Sequence, residues 1–143
     1  MTEPNHLFVY GTLRAESAHP MAHRLRVAAK LLGRGHAPGL LYDLGTYAAA
    51  IFAPDERYRV IGDVFTLGPN PRLLADLDKY EGVTGVEDAD DMFQRIVIEV
   101  ALDRGGSVEA WVYGLKQAPR ARLIGSGDFI ADRRLRKPRA LHP

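Results

Sequence analysis

Two stretches of this chain hold residue types that could do chemistry together. The first is Val9-Tyr10-Gly11-Thr12-Leu13-Arg14, which follows the apolar run Leu7-Phe8-Val9 and precedes a helical pattern. A glycine at a strand-to-helix turn lets a ligand come close to the backbone. The unpaired N–H groups of such a turn suit a carboxylate or a phosphate. Backbone alone moves no protons, so the turn needs a titratable partner. Glu81, seventy positions after Gly11, is the best candidate. It closes a helical pattern just before Gly82, where carbonyl dipoles disfavour a carboxylate and raise its pKa. Its apolar neighbour Tyr80 would desolvate it further where both face a cavity. A carboxyl raised in this way can both accept and return a proton near neutral pH. The same position also suits a surface glutamate ahead of a helix-ending glycine.

Other side chains have more than one use. Tyr10 can line a pocket or pack at a strand end. Tyr113 can hydrogen-bond a substrate or sit in the core with its hydroxyl at the rim. Arg14 and Arg95 can bind a carboxylate or make a structural ion pair. His19 and His23 have the four-residue spacing that binds metal on a helix, but no glutamate follows His19 and no third ligand is evident. Glu87, Asp88, Asp90 and Asp91 lack the glycine and alternating oxygen ligands of a calcium loop, so they read as a solvated loop able to act as a lid.

The elements that must position these residues follow from spacing. His6 to Val9 reads as a strand. Pro20 suits a first helical turn, and Met21, Leu25, Ala28, Ala29 and Leu32 then recur at helical spacing, with Gly33 as the expected stop. Gly39 to Leu44 and Ala48 to Phe52 read as strands, with a turn at Pro54-Asp55-Glu56. Val60 to Leu67 is a further strand. Asn70 and Pro71 open a helix whose apolar stripe is Leu73, Leu74, Leu77 and Tyr80. Phe93 to Asp103 and Val108 to Leu115 form a hairpin across Arg104-Gly105-Gly106-Ser107, with Trp111 and Tyr113 on one face. Gly125-Ser126-Gly127-Asp128 is a turn. Many strands with two clear helices suggest an α+β domain or a small barrel.

The chain has 143 residues, enough for one domain with a real core. It has no cysteine, which removes disulfides, thiolate metal sites and cysteine nucleophiles. The polar start Met1-Thr2-Glu3-Pro4-Asn5 is unlike a secretion segment, and no run approaches the roughly 18 apolar residues of a membrane span. A cytoplasmic protein is the expectation. The net charge is +1, but residues 131–143 carry Arg133, Arg134, Arg136, Lys137 and Arg139 against Asp132. That surplus of four leaves the body at −3, which argues against a nucleic-acid-binding body. The expected organisation is a domain over 1–130 and a basic, flexible tail over 131–143. The tail could touch nucleic acid or an acidic membrane surface, but a solvated end is the simpler reading.

Taken together, Tyr10-Gly11-Thr12-Leu13 and the later Leu77-Asp78-Lys79-Tyr80-Glu81-Gly82 resemble the gamma-glutamylcyclotransferase-like family, which includes gamma-glutamylamine cyclotransferases and plant AIG2-like proteins. Gly39-Leu40-Leu41-Tyr42-Asp43-Leu44, Gly62-Asp63-Val64-Phe65, Phe93-Gln94-Arg95, Ala110-Trp111-Val112-Tyr113 and Ser126-Gly127-Asp128-Phe129 look like its later motifs. Each is weak alone; their order and spacing over roughly residues 6–130 carry the resemblance. The chain departs from the pattern at Phe93, where many relatives have tyrosine. It departs at Ala48, where many have proline, and over Ala15 to Pro20.

The resemblance implies an α+β fold: a small mixed β-barrel with flanking helices and a cavity at one mouth. It implies that the first loop holds a gamma-glutamyl group while the glutamate takes a proton from its α-amine. The freed amine attacks the γ-carbonyl, closing 5-oxoproline and releasing the attached amine. Glu81 is thus the catalytic candidate. Tyr10, Gly11, Thr12, Leu13, Arg14 and Tyr113 are the candidates for binding, and no metal or organic cofactor is expected. The expected partner is a small gamma-glutamyl compound. The alternative is a non-catalytic protein that binds a small carboxylate on the same fold.

Overall fold

The computed structural model describes residues 4–11, 20–45, 47–69, 71–81 and 92–136. In chain order these form β1 (His6–Val9), α1 (Pro20–Ala28), β2 (Lys30–Asp43), β3 (Ala48–Phe52), β4 (Arg59–Thr66), α2 (Pro71–Glu81), β5 (Phe93–Leu102), β6 (Ser107–Leu115), β7 (Arg122–Leu123) and α3 (Phe129–Arg136). Five strands close on themselves in the order β2-β4-β1-β6-β5, with β5 returning to β2 through Gly35↔Leu102 and His36↔Ala101. All of these pairings are antiparallel except β1 with β6, which meet in parallel at Leu7↔Trp111. The barrel is therefore mixed, as expected.

The length of β2 explains the two extra strands. Its first part, Lys30 to Pro38, pairs with β4 in the barrel wall, and its second part, Gly39 to Asp43, pairs with β3. Tyr42 and Asp43 also pair with β7. At the seam a Cβ on Gly35 would lie 2.7 Å from the Ala101 carbonyl oxygen, so closure needs a residue without a side chain there.

β1 is buried on both faces, which is why it reads as a run rather than an alternation. Phe8 points into the barrel with Val64, Val100, Ala110 and Val112. Leu7 and Val9 point outward and meet Phe65, Tyr113, Leu25 of α1, and Leu73 and Leu77 of α2. The helices are thus held over the β1–β6 face by leucines, and an Arg24–Asp76 ion pair links them. The α2 stripe is cut short: Leu73 and Leu77 are fully buried, whereas Tyr80 is 42% exposed.

Two expectations change. The helical spacing was expected to run to Leu32 and stop at Gly33, but α1 ends at Ala28, and Lys30 already pairs with Thr66. Pairing to β4 overrides the periodicity, and the register shift between Leu31 and Gly33 absorbs the mismatch. A third helix also appears. Residues 131–136, within the stretch expected to be a flexible tail, lie in α3. Asp128 caps it by accepting the Ala131 N–H at 3.0 Å. The turn before it needs Gly127, whose φ is +70° and whose Cβ would overlap the Arg59 carbonyl oxygen. Residues 137–143 fall outside the described residues.

Candidate active site

The site is built where β1 ends and where α2 ends. β1 delivers Tyr10 one residue past its last pair, with the ring edge-on to Phe52 at 5.5 Å and tilted on Phe8 at 6.5 Å. Its hydroxyl donates to the Tyr113 carbonyl at 2.6 Å and accepts the Ala50 N–H at 3.2 Å. Tyr10 therefore braces the start of the turn against β3 and β6. Burial pushes its pKa well above the usual phenol range, and the nearby Glu81 charge pushes it the same way.

Glu81 is the last residue of α2 and is half-buried. Burial raises its carboxyl from 4.5 to about 7. The cause differs in part from the one expected from sequence. Tyr80 is 42% exposed, and the Glu81 charge acts on Tyr10 and Tyr113.

Tyr113 stands on the outer face of β6, almost wholly buried against α2. Its hydroxyl donates to Asp78 Oδ1 at 2.6 Å. Burial first, then that hydrogen bond, holds its proton on far above the usual range. Arg95, opposite Tyr113 in the β5–β6 register, makes the ion pair that was one of its two expected uses, with Nε 2.7 Å from Asp78 Oδ1. Asp78 is a site residue that sequence reasoning passed over. The available signal was its spacing, three residues before Glu81 and thus on the same side of α2.

Tyr10, Glu81 and Tyr113 are thus brought together from three separate elements. Gly11 lies beside Tyr10. Among the described residues, a Cβ placed on it would meet the Ala48 carbonyl oxygen at 3.8 Å, an ordinary contact. Thr12, Leu13 and Arg14 lie outside the described residues, as do His19 and the acidic stretch Glu87 to Asp91. Phe93 packs against the α2-side cluster. His23 is exposed on α1, and no group of three or more potential metal ligands occurs among the described residues. No helix among them is long and apolar enough to cross a membrane.

Fold and site together define a small barrel domain with a half-buried, upshifted carboxyl at the end of α2, whose charge acts on Tyr10 beside the first strand turn. The chain belongs to the gamma-glutamyl cyclotransferase, AIG2-like family, whose pattern it matches over residues 7–131. Solved structures share the architecture. An uncharacterized protein from Pyrococcus horikoshii aligns with a TM-score of 0.62 at 24% identity, over 91% of this chain and 93% of that one. An AIG2-like protein from Mus musculus aligns with a TM-score of 0.69 at 23% identity, over 90% and 89%. A chain described as gamma-glutamyl cyclotransferase aligns with a TM-score of 0.59 at 19% identity, over 85% and 72%. At these identities the likeness is one of fold. No curated protein matches the sequence.

Proposed function

We propose that this protein converts a gamma-glutamyl amide or gamma-glutamyl amino acid to 5-oxoproline and releases the attached amine, with Glu81 carrying the proton. The observation that carries this reading is a half-buried carboxyl, raised to about 7, beside the residue that leads into the glycine turn. A substrate α-ammonium is not nucleophilic until it loses a proton, and a carboxylate of that pKa is a competent acceptor at neutral pH. The freed amine attacks the γ-carbonyl of the same molecule. As the tetrahedral centre collapses, the bond to the departing nitrogen breaks, and Glu81 returns the proton to that nitrogen. Ring closure gains from a fixed rotamer, worth several kcal/mol when the reacting atoms are held in line. Backbone N–H groups from Gly11 onward are suited to the substrate carboxylate or to the developing oxyanion.

The test is an assay of 5-oxoproline over a panel of gamma-glutamyl amines, amides and amino acids. Glu81→Gln is expected to lower turnover by about 10²–10⁴-fold while the fold is kept, the range typical of losing a general base. In the parent, kcat/KM is expected to rise with pH through about 7 as Glu81 ionises. Parental activity in Glu81→Gln would overturn the assignment of the base.

A further inference from the structure

The end of α2 is fastened to the barrel by a polar cluster. Asp78 Oδ1 accepts the Tyr113 hydroxyl at 2.6 Å and lies 2.7 Å from Arg95 Nε, while Arg95 Nη2 donates to Asp78 Oδ2 at 3.2 Å. The guanidinium in turn lies over the Trp111 ring, 4.3 Å from its centroid. Alternation on β6 puts Trp111 and Tyr113 on one face, and the register puts Arg95 opposite Tyr113. Tyr113 and Arg95 therefore converge on one carboxylate of α2, with Trp111 backing the guanidinium. Upstream of this cluster α2 is held by Leu73 and Leu77, and Asp78 adds a polar attachment three residues before Glu81.

The cluster is also balanced: one carboxylate, one guanidinium, and a phenol that keeps its proton. Glu81 acts by its charge on Tyr10 and on Tyr113, the Tyr113 hydroxyl also feels Asp78 and Arg95, and Lys79 and Tyr80 precede Glu81 on its own helix. An unbalanced Arg95 would favour ionised Glu81, and an unbalanced Asp78 would oppose it.

We propose that Asp78 is a positioning residue for Glu81: with Arg95 and Tyr113 it forms a charge-neutral clamp that fixes the last turn of α2 and shields Glu81 from either net charge. The proposal rests on the reading of Glu81 as the proton carrier, but it can be judged without catalysis. The experiment follows the Glu81 carboxyl by carbon-13 NMR titration of the full chain, with the signal assigned by its loss in Glu81→Gln. In Asp78→Asn the midpoint is expected to fall below the parent's by about half a unit or more. In Arg95→Gln it is expected to rise above the parent's by a similar amount. Arg95→Lys, which keeps the charge, should stay near the parent. Where turnover is measured, the pH limb of kcat/KM should move with each midpoint. A cluster that merely packs the helix would, when loosened, let water reach Glu81 in both variants and lower both midpoints. Shifts in the same direction, or no shift, overturn the clamp. If Asp78→Asn fails to fold, the contrast between Arg95→Gln and Arg95→Lys decides the question in the same way. A parent that yields no 5-oxoproline from any substrate sinks the proposed activity and leaves the titration to judge the clamp.

Discussion

A carboxyl that titrates near neutrality inside a folded domain has a cost that can be measured. Below pH 4.5 Glu81 is protonated in both the folded and the unfolded chain and contributes no difference. Between about 4.5 and about 7 the unfolded chain ionises first, so the folded state holds more protons and stability falls as pH rises. Above about 7 the penalty is complete, at most about 3 kcal/mol. Glu81→Gln carries no such penalty. It is expected to gain stability over the parent as pH rises across this window and to show no gain below it, as read by urea denaturation at each pH. An activity lost together with a stability gained would mark Glu81 as a residue placed for chemistry rather than for packing. That Glu81 closes a helix with a raised carboxyl was legible in sequence from its place beside a glycine. Half of the reason given for it was not. How deeply Glu81 is buried depends on where α2 lies on the β1–β6 face, and Tyr80 beside it stays 42% exposed.

At the level of elements, α2 is the lever arm of the site. Leu77 is fully buried between α2 and the barrel, one turn before Glu81. Leu77→Ala is expected to cost about 2–5 kcal/mol of stability by leaving a cavity, measured by denaturant unfolding, with a larger relative loss in kcat/KM than in substrate affinity as Glu81 shifts. Strands with strong runs or hairpin turns were readable from the chain: β1, β3, β4, and the β5–β6 pair over Gly105-Gly106. The boundary between α1 and β2 was not, because Ala29 and Leu32 satisfy a helical spacing while the hydrogen bonds that claim this region come from β4. β7 is two residues long and exists only because β2 offers it an edge. α3 was hidden by its arginines. Arg133 reaches the Gly45 carbonyl and pairs with Asp43, and Asp132 pairs with Arg122 at 2.7 Å. These partners are remote in sequence, so composition alone suggested a free end.

For the molecule as a whole, two groups pull stability in opposite directions with pH. Asp43 accepts the Gly45 N–H at 2.8 Å and faces Arg122 and Arg133, and these hold its carboxyl below the usual range, the backbone bond most of all. Its contribution is present above its unfolded value of 3.8 and is lost as pH falls through the lower folded value. Glu81 weakens the fold as pH rises from about 4.5 to about 7. Taken as a pair, these two groups favour the folded state most on the acid side of neutral. Asp43→Asn is expected to flatten the acid side of the curve and Glu81→Gln the neutral side, in denaturation series from about pH 3 to about pH 8. Added salt should weaken the Asp43 arm more, because the Arg122 side chain is 40% exposed. The parallel pairing of β1 with β6 has a consequence for biogenesis. Residues 6–9 zip against 63–66 and touch Trp111, so β1 is made well before both partners, and about a hundred residues separate it from β6. Such a nascent chain keeps a sticky apolar ribbon uncovered until β6 arrives, a natural point of engagement for chaperones and a reason for slow, all-or-none maturation.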